Sequence, residues 1–186
     1  TLQIKTKIRG EHFCVNVGCA IAASLAAGME MSAITKTSVT LTNYDRSMEI
    51  VDGPSGSILI NDTFNNNPDA AIASLAYAKK FPGKLYLVFQ PMIELGSFTD
   101  ASHYDVGKFA GSLAAAIYVT NKNFYESFAR GIAESGKTPP ELHCLSPHEA
   151  AVSLVKRLQA GDVVLFKGKE AAFVLSEMQK MGKVSK

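Results

Sequence analysis

The amino-acid sequence predicts an α/β fold: a mostly parallel sheet with helices on both faces. Two observations carry that expectation. Short strands that are apolar from end to end recur along the chain, which marks strands buried on both sides. Between them lie amphipathic stretches with a period near 3.6, suited to cover those faces.

Residues 1–8, Thr1-Leu2-Gln3-Ile4-Lys5-Thr6-Lys7-Ile8, alternate like a strand, and the chain opens without methionine. A helix follows at once and offers this strand no partner. The expectation is therefore an excised fragment whose first strand belongs to a sheet lying mostly upstream. After Gly10 an alanine-rich helix runs to Gly28, with Val17, Ile21 and Leu25 four apart on a closely packed face. Residues 31–54 are mixed and predict a short helix and a strand near Met48 to Val51. Asp52-Gly53-Pro54-Ser55-Gly56 reads as a linker or domain boundary.

Beyond it the alternation is regular. Ser57–Ile60 is a strand and Pro68–Lys80 a helix with Ile72, Leu75 and Ala76 on one face. Leu85–Phe89 is a strand, followed by a helix carrying Val106, Phe109, Ala110 and Leu113. Ala116–Val119 leads to a helix with Phe124, Phe128 and Ile132, and Leu142–Leu145 to one with Ala151, Leu154, Val155 and Leu158. Val163–Phe166 precedes a last helix with Val174, Met178 and Met181. Ligands of such sheets bind at the carboxyl ends of strands, which directs attention to the loops after Ile60, Phe89, Val119 and Phe166.

Composition excludes several classes. The 186 residues suffice for one good core, or one domain with part of a neighbour. A formal charge of +2 is too slight for a nucleic-acid or anionic-membrane surface, and no apolar run is long enough to span a bilayer. Cys14, Cys19 and Cys144 are odd in number and read as buried, reduced thiols of a cytosolic protein. His12, Cys14 and Cys19, like His143, Cys144 and His148, lack the paired short spacing of a zinc site, so no metal is assigned to them.

Gly131-Ile132-Ala133-Glu134-Ser135-Gly136-Lys137-Thr138 matches the P-loop pattern. A working P-loop follows a strand and opens a helix, because its amides and the helix dipole hold the phosphates together. Here Gly131 falls inside an amphipathic helix, Gly136 stands where a helix ends, and Pro139-Pro140 forbids a new helix. The segment reads as a helix terminus.

The loop Asn61-Asp62-Thr63-Phe64-Asn65-Asn66-Asn67-Pro68-Asp69 follows a buried strand and precedes a helix. Asn67 as N-cap, Pro68 at the first helical position and Asp69 on the dipole explain its last three residues. Asn61, Asp62, Asn65 and Asn66 need another reason. A carboxylate at a strand end can accept hydrogen bonds from adjacent ribose hydroxyls, and amides can hold phosphate or sugar oxygens without adding charge.

These residues carry a resemblance. The segment from Ile60 to Asp69 resembles the Asp-Asp-Thr-Tyr-Asn-Ala-Asn-Pro-Asp signature of Mur ligases, most nearly of those that join D-alanyl-D-alanine to UDP-N-acetylmuramoyl-tripeptide. Pro91-Met92-Ile93-Glu94-Leu95-Gly96 resembles the family's Gly-Asp-Met-Leu-Glu-Leu-Gly segment, and His103-Tyr104-Asp105-Val106-Gly107 the helix start after it. Val164-Leu165-Phe166-Lys167-Gly168-Lys169 is similar to the late Val-Leu-Val-Lys-Gly-Ser. Gly10-Glu11-His12-Phe13-Cys14-Val15-Asn16 resembles the Gly-x-His-Asn-x-x-Asn that closes the family's central ATPase domain.

The resemblance implies an end of the central ATPase domain at 1–43 and a Rossmann-like C-terminal domain at 44–186. It implies ATP and Mg2+, and a cytoplasmic ligase of peptidoglycan precursor synthesis. In that chemistry a carboxylate is phosphorylated and an amine attacks the acyl phosphate. Its partners would be nucleotide, UDP-sugar-peptide or amino-acid substrate, and the rest of the ligase chain. Asn16 and His12 would lie near the adenine, Asp62 would hold the ribose, and Arg46 would face the nucleotide. Asn65 and Asn67 would lie near the phosphates or orient the loop. A folylpolyglutamate- or cyanophycin-type relative, or a non-catalytic binding or regulatory module, are the alternatives.

Departures accompany the matches. Phe13 stands for the first Asn of the adenine motif, Gln90-Pro91 for Gly-Asp, and Asp45 for the glycine of the family's Gly-Arg-x-x-Glu junction, which Asp45-Arg46-Ser47-Met48-Glu49 otherwise resembles. The family's P-loop, metal-binding residues and UDP-sugar domain have no counterpart here, so these residues alone are not expected to ligate, and none is assigned as catalytic. Lys167 and Lys169 follow a strand and meet either an anion or solvent, the solvated loop being commoner. His103 acts near the substrate or is held by its neighbours. Glu94 is a substrate contact or a helix cap.

Overall fold

In strand β3 (Leu85–Phe89), Leu85, Leu87 and Phe89 belong to one buried cluster and Tyr86 and Val88 to another, so both faces of the strand are covered. The same two-sided burial marks β2 (Ile58–Asp62), β4 (Ala114–Val119) and β6 (Val163–Lys167). In a computed structural model, which describes residues 3–136 and 138–184, these join β1 (Glu49–Asp52) and β5 (Glu141–Cys144) in one six-stranded sheet. The strand order is β1-β2-β6-β3-β4-β5, with β1 antiparallel and the other pairings parallel. The predicted fold class and strand positions agree with this.

Helices α3 (Pro68–Ala78), α4 (Thr99–Gly111) and α5 (Tyr125–Ala133) cover the face that carries Ile60, Leu87, Ile117 and Leu165. Helices α6 (Pro147–Arg157) and α7 (Ala171–Val184) cover the face of Leu59, Val88, Tyr118 and Phe166. Ser146 opens α6 with a reciprocal capping box to Glu149, as its Ser-Pro-His-Glu sequence requires. The chain therefore leaves β2 and β3 toward one face and β6, which lies between them, toward the other. Loops that diverge in this way open a crevice at the carboxyl edge of the sheet.

Ahead of the sheet lie a 3-10 turn (Glu11–Phe13), α1 (Cys14–Ala26) and α2 (Met31–Ser38). Residues 3–9 alternate between exposed and half-buried as a strand would, but pair with no strand; Thr1 and Leu2 lie outside the described residues. Arg9 and Asn43 exchange two hydrogen bonds, and the Lys7 amide donates to the Leu41 carbonyl, tying this segment to the end of α2.

Four expectations are corrected. No residue of α1 is buried: its Val17–Ile21 stripe lines open clefts shared with Ile4, Thr6 and Ile8 on one side and with α2 on the other, and Leu25 is exposed. Cys14 and Cys19 are accordingly exposed and Cys144 half-buried, so the thiols are not core residues. Residues 52–56 are no linker but the turn of the β1–β2 hairpin, closed by the Gly53 amide on the Ser57 carbonyl at 2.8 Å. In α3 the buried face is Ala71, Ser74, Leu75 and Ala78, with Ala76 exposed.

The P-loop-like segment ends a helix, as its sequence context implies: Gly131 lies within α5 and Gly136, at φ 77°, follows it; Lys137 lies outside the described residues. Gly131 has a packing reason. A Cβ there would stand 2.0 Å from the Tyr104 carbonyl oxygen, and one at Gly107 2.3 Å from that of Phe128, so α4 and α5 touch backbone to backbone. Gly131→Ala would gain about 0.5–1 kcal/mol of helix propensity. The clash with rigid backbone outweighs it, since overpacking costs roughly 1–3 kcal/mol or more. Urea unfolding of Gly131→Ala is expected to show a lower midpoint; an unchanged or higher one would contradict this packing.

Candidate functional site

Parallel pairing of β2 with β6 sets Asp62 directly opposite Lys167 at the carboxyl edge. Their ionised ends meet at 2.6 Å between Lys167 Nζ and Asp62 Oδ2, with both side chains almost wholly buried. Two charges withdrawn from water cost several kcal/mol each unless paired and hydrogen-bonded. The remaining bonds are supplied: Ser74 Oγ of α3 donates to Asp62 Oδ2 at 2.6 Å, and the Met48 amide donates to Oδ1 at 3.3 Å. Lys167 was expected in a loop facing an anion or solvent. Because β6 extends through it, it lies inside the sheet edge, at 2 % exposure.

The loop after Asp62 is braced residue by residue. Asn61 donates from Nδ2 to Glu49 Oε2 at 2.9 Å and accepts from Thr63 Oγ1 at 2.7 Å. Asn65 Oδ1 accepts the Asn66 amide, and Asn67 Oδ1 accepts the Ala70 amide as the N-cap of α3. Asn66 reaches across the crevice and donates from Nδ2 to the Gln90 carbonyl at 2.7 Å, while its buried Oδ1 has no protein partner.

Gln90 joins the three loops. Its amide donates to the Lys167 carbonyl, its carbonyl accepts from Asn66, and its Oε1 accepts the Glu170 amide at 2.9 Å. Its side chain lies so close to Gly168 that a Cβ there would be 2.7 Å from its own. Glu170 in turn accepts from Thr120 Oγ1 and Asn121 Nδ2 beyond β4. Between these loops lies a cavity of about 270 Å³ lined by Asn65, Asn66, Asn67, residues 90–95 and Lys169. It holds one acidic side chain, Glu94, and one basic, Lys169, among amides and apolar groups.

The remaining expected residues divide into three groups. His12 stands on the 3-10 turn that packs against α3, within the field of the Asp62–Lys167 pair. Burial holds its imidazole below the ordinary value, opposed by Asp62 and assisted by Lys167. Asn16 is exposed on the first turn of α1. Arg46 is exposed, at φ 55°, with its guanidinium carbon 5.8 Å from the Phe64 ring centre, and its carbonyl accepts the Phe64 amide. Asn65, Asn67 and Glu94 line the cavity, and Glu94 is no helix cap: it is exposed, at φ 64°, ahead of the 3-10 turn Gly96–Phe98.

His103 is fully buried with both ring nitrogens engaged. Nδ1 donates to the Thr99 carbonyl at 2.7 Å and Nε2 accepts the Met92 amide at 2.9 Å, the tautomer those two partners dictate. It therefore holds the 90–95 loop from beneath and offers no free nitrogen to a substrate. Ser74 and Gln90 are partners not expected in these roles. Ser74 had a signal, a hydroxyl on the apolar stripe of a helix; Gln90 had none beyond its departure from a motif. Among the described residues no three His, Cys, Asp or Glu side chains converge on one point.

An α/β domain whose strand-end loops enclose a polar crevice beside a buried ion pair is thus defined. The Mur ligase, glutamate ligase domain profile matches residues 47–170, and the chain belongs to that family. It is 26 % identical over 183 residues to the UDP-N-acetylmuramoyl-tripeptide–D-alanyl-D-alanine ligase of Mycobacterium leprae, covering 89 % of this chain and 35 % of that enzyme. The chain thus spans about a third of the length of the curated relatives it matches. In fold it is similar to MurF ligase from Thermotoga maritima, solved in complex with ADP, with a TM-score of 0.78 at 21 % identity over 97 % of this chain and 42 % of that one. The UDP-N-acetylmuramate–alanine ligase MurC of the same organism superposes with a TM-score of 0.78 at 19 % identity, covering 100 % and 41 %.

Burial of His103 carries a pH dependence. The folded protein holds this imidazole below its ordinary value, burial being the main cause, while the unfolded chain protonates it near pH 6.5. Its contribution is complete above about pH 6.5 and is lost as pH falls below it, because the unfolded state then binds the extra proton. His103→Phe is expected to lower stability at pH 7.5 by about 1–3 kcal/mol, leaving the Met92 amide unpaired. It should also flatten the decline from pH 7 to 5.5; an unflattened decline would remove His103 as its source.

Proposed function

We propose that this chain contributes to an ATP-dependent acid–amino-acid ligase of peptidoglycan precursor synthesis. In this reading residues 44–186 are a C-terminal domain and residues 1–43 the end of a central ATPase domain. The observation that carries it is convergence. The segments beginning at Asn61, Pro91 and Val164 are far apart in sequence, yet their loops meet at one crevice, braced from below by His103.

The crevice divides the work. In this reading the Asp62 side, together with His12, Arg46 and Phe64, receives the nucleoside of ATP, Asp62 accepting hydrogen bonds from the ribose hydroxyls. Asn16 faces the base, and Asn65 and Asn67 lie toward the phosphates. The cavity between Glu94 and Lys169 receives the incoming amine. The γ-phosphoryl group of ATP passes to a substrate carboxylate, giving an acyl phosphate and ADP. The amine then displaces phosphate to form the amide, losing one proton. Held loops of this kind lower the barrier by fixing the amine's approach. Mg2+ accompanies the ATP, and the acceptor is a UDP-N-acetylmuramoyl-peptide that gains D-alanyl-D-alanine. Such a reaction belongs to the cytoplasm, and no helix among the described residues is long and apolar enough to cross a membrane.

The natural polypeptide carrying these residues is expected to form an amide from UDP-N-acetylmuramoyl-tripeptide and D-alanyl-D-alanine, releasing ADP and phosphate only when both are present. Asp62→Asn should raise the KM for ATP about ten-fold, as loss of a charged hydrogen-bond acceptor does. Absence of ATP turnover with any amino-acid or dipeptide acceptor would sink the reading. Lys137→Ala, in the P-loop-like segment, is expected to leave the KM for ATP unchanged; a rise would restore that segment as a phosphate site.

A further inference from the structure

The Asp62 carboxylate is unevenly occupied. Oδ2 accepts from Lys167 Nζ at 2.6 Å and from Ser74 Oγ at 2.6 Å, which fills its two acceptor directions. Among the described residues Oδ1 holds only the 3.3 Å contact from the Met48 amide, near the limit of a hydrogen bond. One oxygen is thus committed to the protein and the other retains capacity. The two holding groups come from different elements, β6 and α3, and both are buried, so the orientation is fixed by the core rather than by solvent. Ser74 Oγ also lies 2.7 Å from the Ala70 carbonyl, a second acceptor for its one proton, and the shorter, charge-assisted bond is the one to Asp62.

We propose that Lys167 and Ser74 are positioning residues that hold Asp62 with Oδ1 turned to a ligand's vicinal hydroxyls. This rests on the nucleotide reading of the crevice. Lys167 does a second thing: it cancels the Asp62 charge. A lone carboxylate would repel the polyphosphate of the nucleotide whose sugar it binds, whereas a paired one accepts hydrogen bonds with little net field. Burial lowers the pKa of the His12 imidazole beside the pair, which disfavours a further positive charge there. Lys167 therefore acts on the ligand only through Asp62 and makes no contact of its own.

The test compares equilibrium binding of ATP and 2′,3′-dideoxy-ATP to the natural polypeptide, with thermal melting to verify folding. The wild type should prefer ATP about ten-fold or more, the worth of hydrogen bonds from the diol to an ionised acceptor. Ser74→Ala should reduce that preference about five-fold while leaving dideoxy-ATP affinity close to wild type. Lys167→Met should nearly abolish it and also weaken binding of both nucleotides, because the uncancelled Asp62 charge repels the triphosphate they share. Lys167→Arg should retain most of the preference. Removing one partner of a buried pair is strongly destabilising, so if Lys167→Met does not fold, Ser74→Ala decides. Wild-type preference in a folded Ser74→Ala protein, or in a folded Lys167→Met protein, overturns the positioning role while leaving Asp62 as the ribose ligand. Equal affinity of the wild type for the two nucleotides overturns the ribose reading itself, and the positioning role with it.

Discussion

The crevice depends on one buried ion pair. Asp62 and Lys167 end neighbouring parallel strands, and their union at 2.6 Å fixes the origin of two of the three loops that form the crevice. Such a pair adds little net stability over an apolar substitute, because desolvation offsets most of the attraction. Its value lies in the cost of the alternatives. Any strand register that separates the two leaves a charge in the core, so the pair selects one alignment of β2 on β6 and one starting point for the loops. Ser74 and the Met48 amide extend that selection to α3 and to the segment that leads into the sheet.

From that origin Gln90 carries the order outward. Its backbone and side chain bond to Lys167, Asn66 and Glu170, and the missing Cβ of Gly168 makes room for it. Where the family has Gly-Asp, this chain has Gln90-Pro91, and the structure gives the change a physical consequence: a flexible, charged pair is replaced by a residue that ties loops together and one that stiffens the turn. The cavity is then shaped in advance, which lowers the ordering cost of binding a ligand there. Phe13 is likewise accounted for. Its ring lies 4.3 Å from that of His12 and packs against the sheet's core, so it seats the 3-10 turn on the domain.

Much of the fold was legible because apolar strands and amphipathic helices leave a periodic trace. Leu85–Phe89 is read to the residue, and Asn67-Pro68-Asp69 starts a helix as its capping chemistry requires. The failure in α1 arises because periodicity reports a face but not what covers it. The Val17–Ile21–Leu25 stripe of α1 has the spacing of a core helix, yet only a shallow layer lies against it, and Cys14 and Cys19 are exposed. Gly53-Pro54 looked like a boundary because turn residues mark hairpins and linkers alike. In the site, Asp62 stood out by type and position, but its partner did not. Lys167 is 105 residues away, and only the parallel register of β2 and β6 brings the two together.

The proposed function requires that this crevice take a nucleotide. Amide hydrogen exchange of the natural polypeptide, measured with and without ATP, reads that directly. Slower exchange in residues 61–67 and 46–48, with little change in residues 131–138, is the predicted result. Unchanged exchange at the Asp62 loop at saturating ATP, or protection centred on residues 131–138, would contradict it.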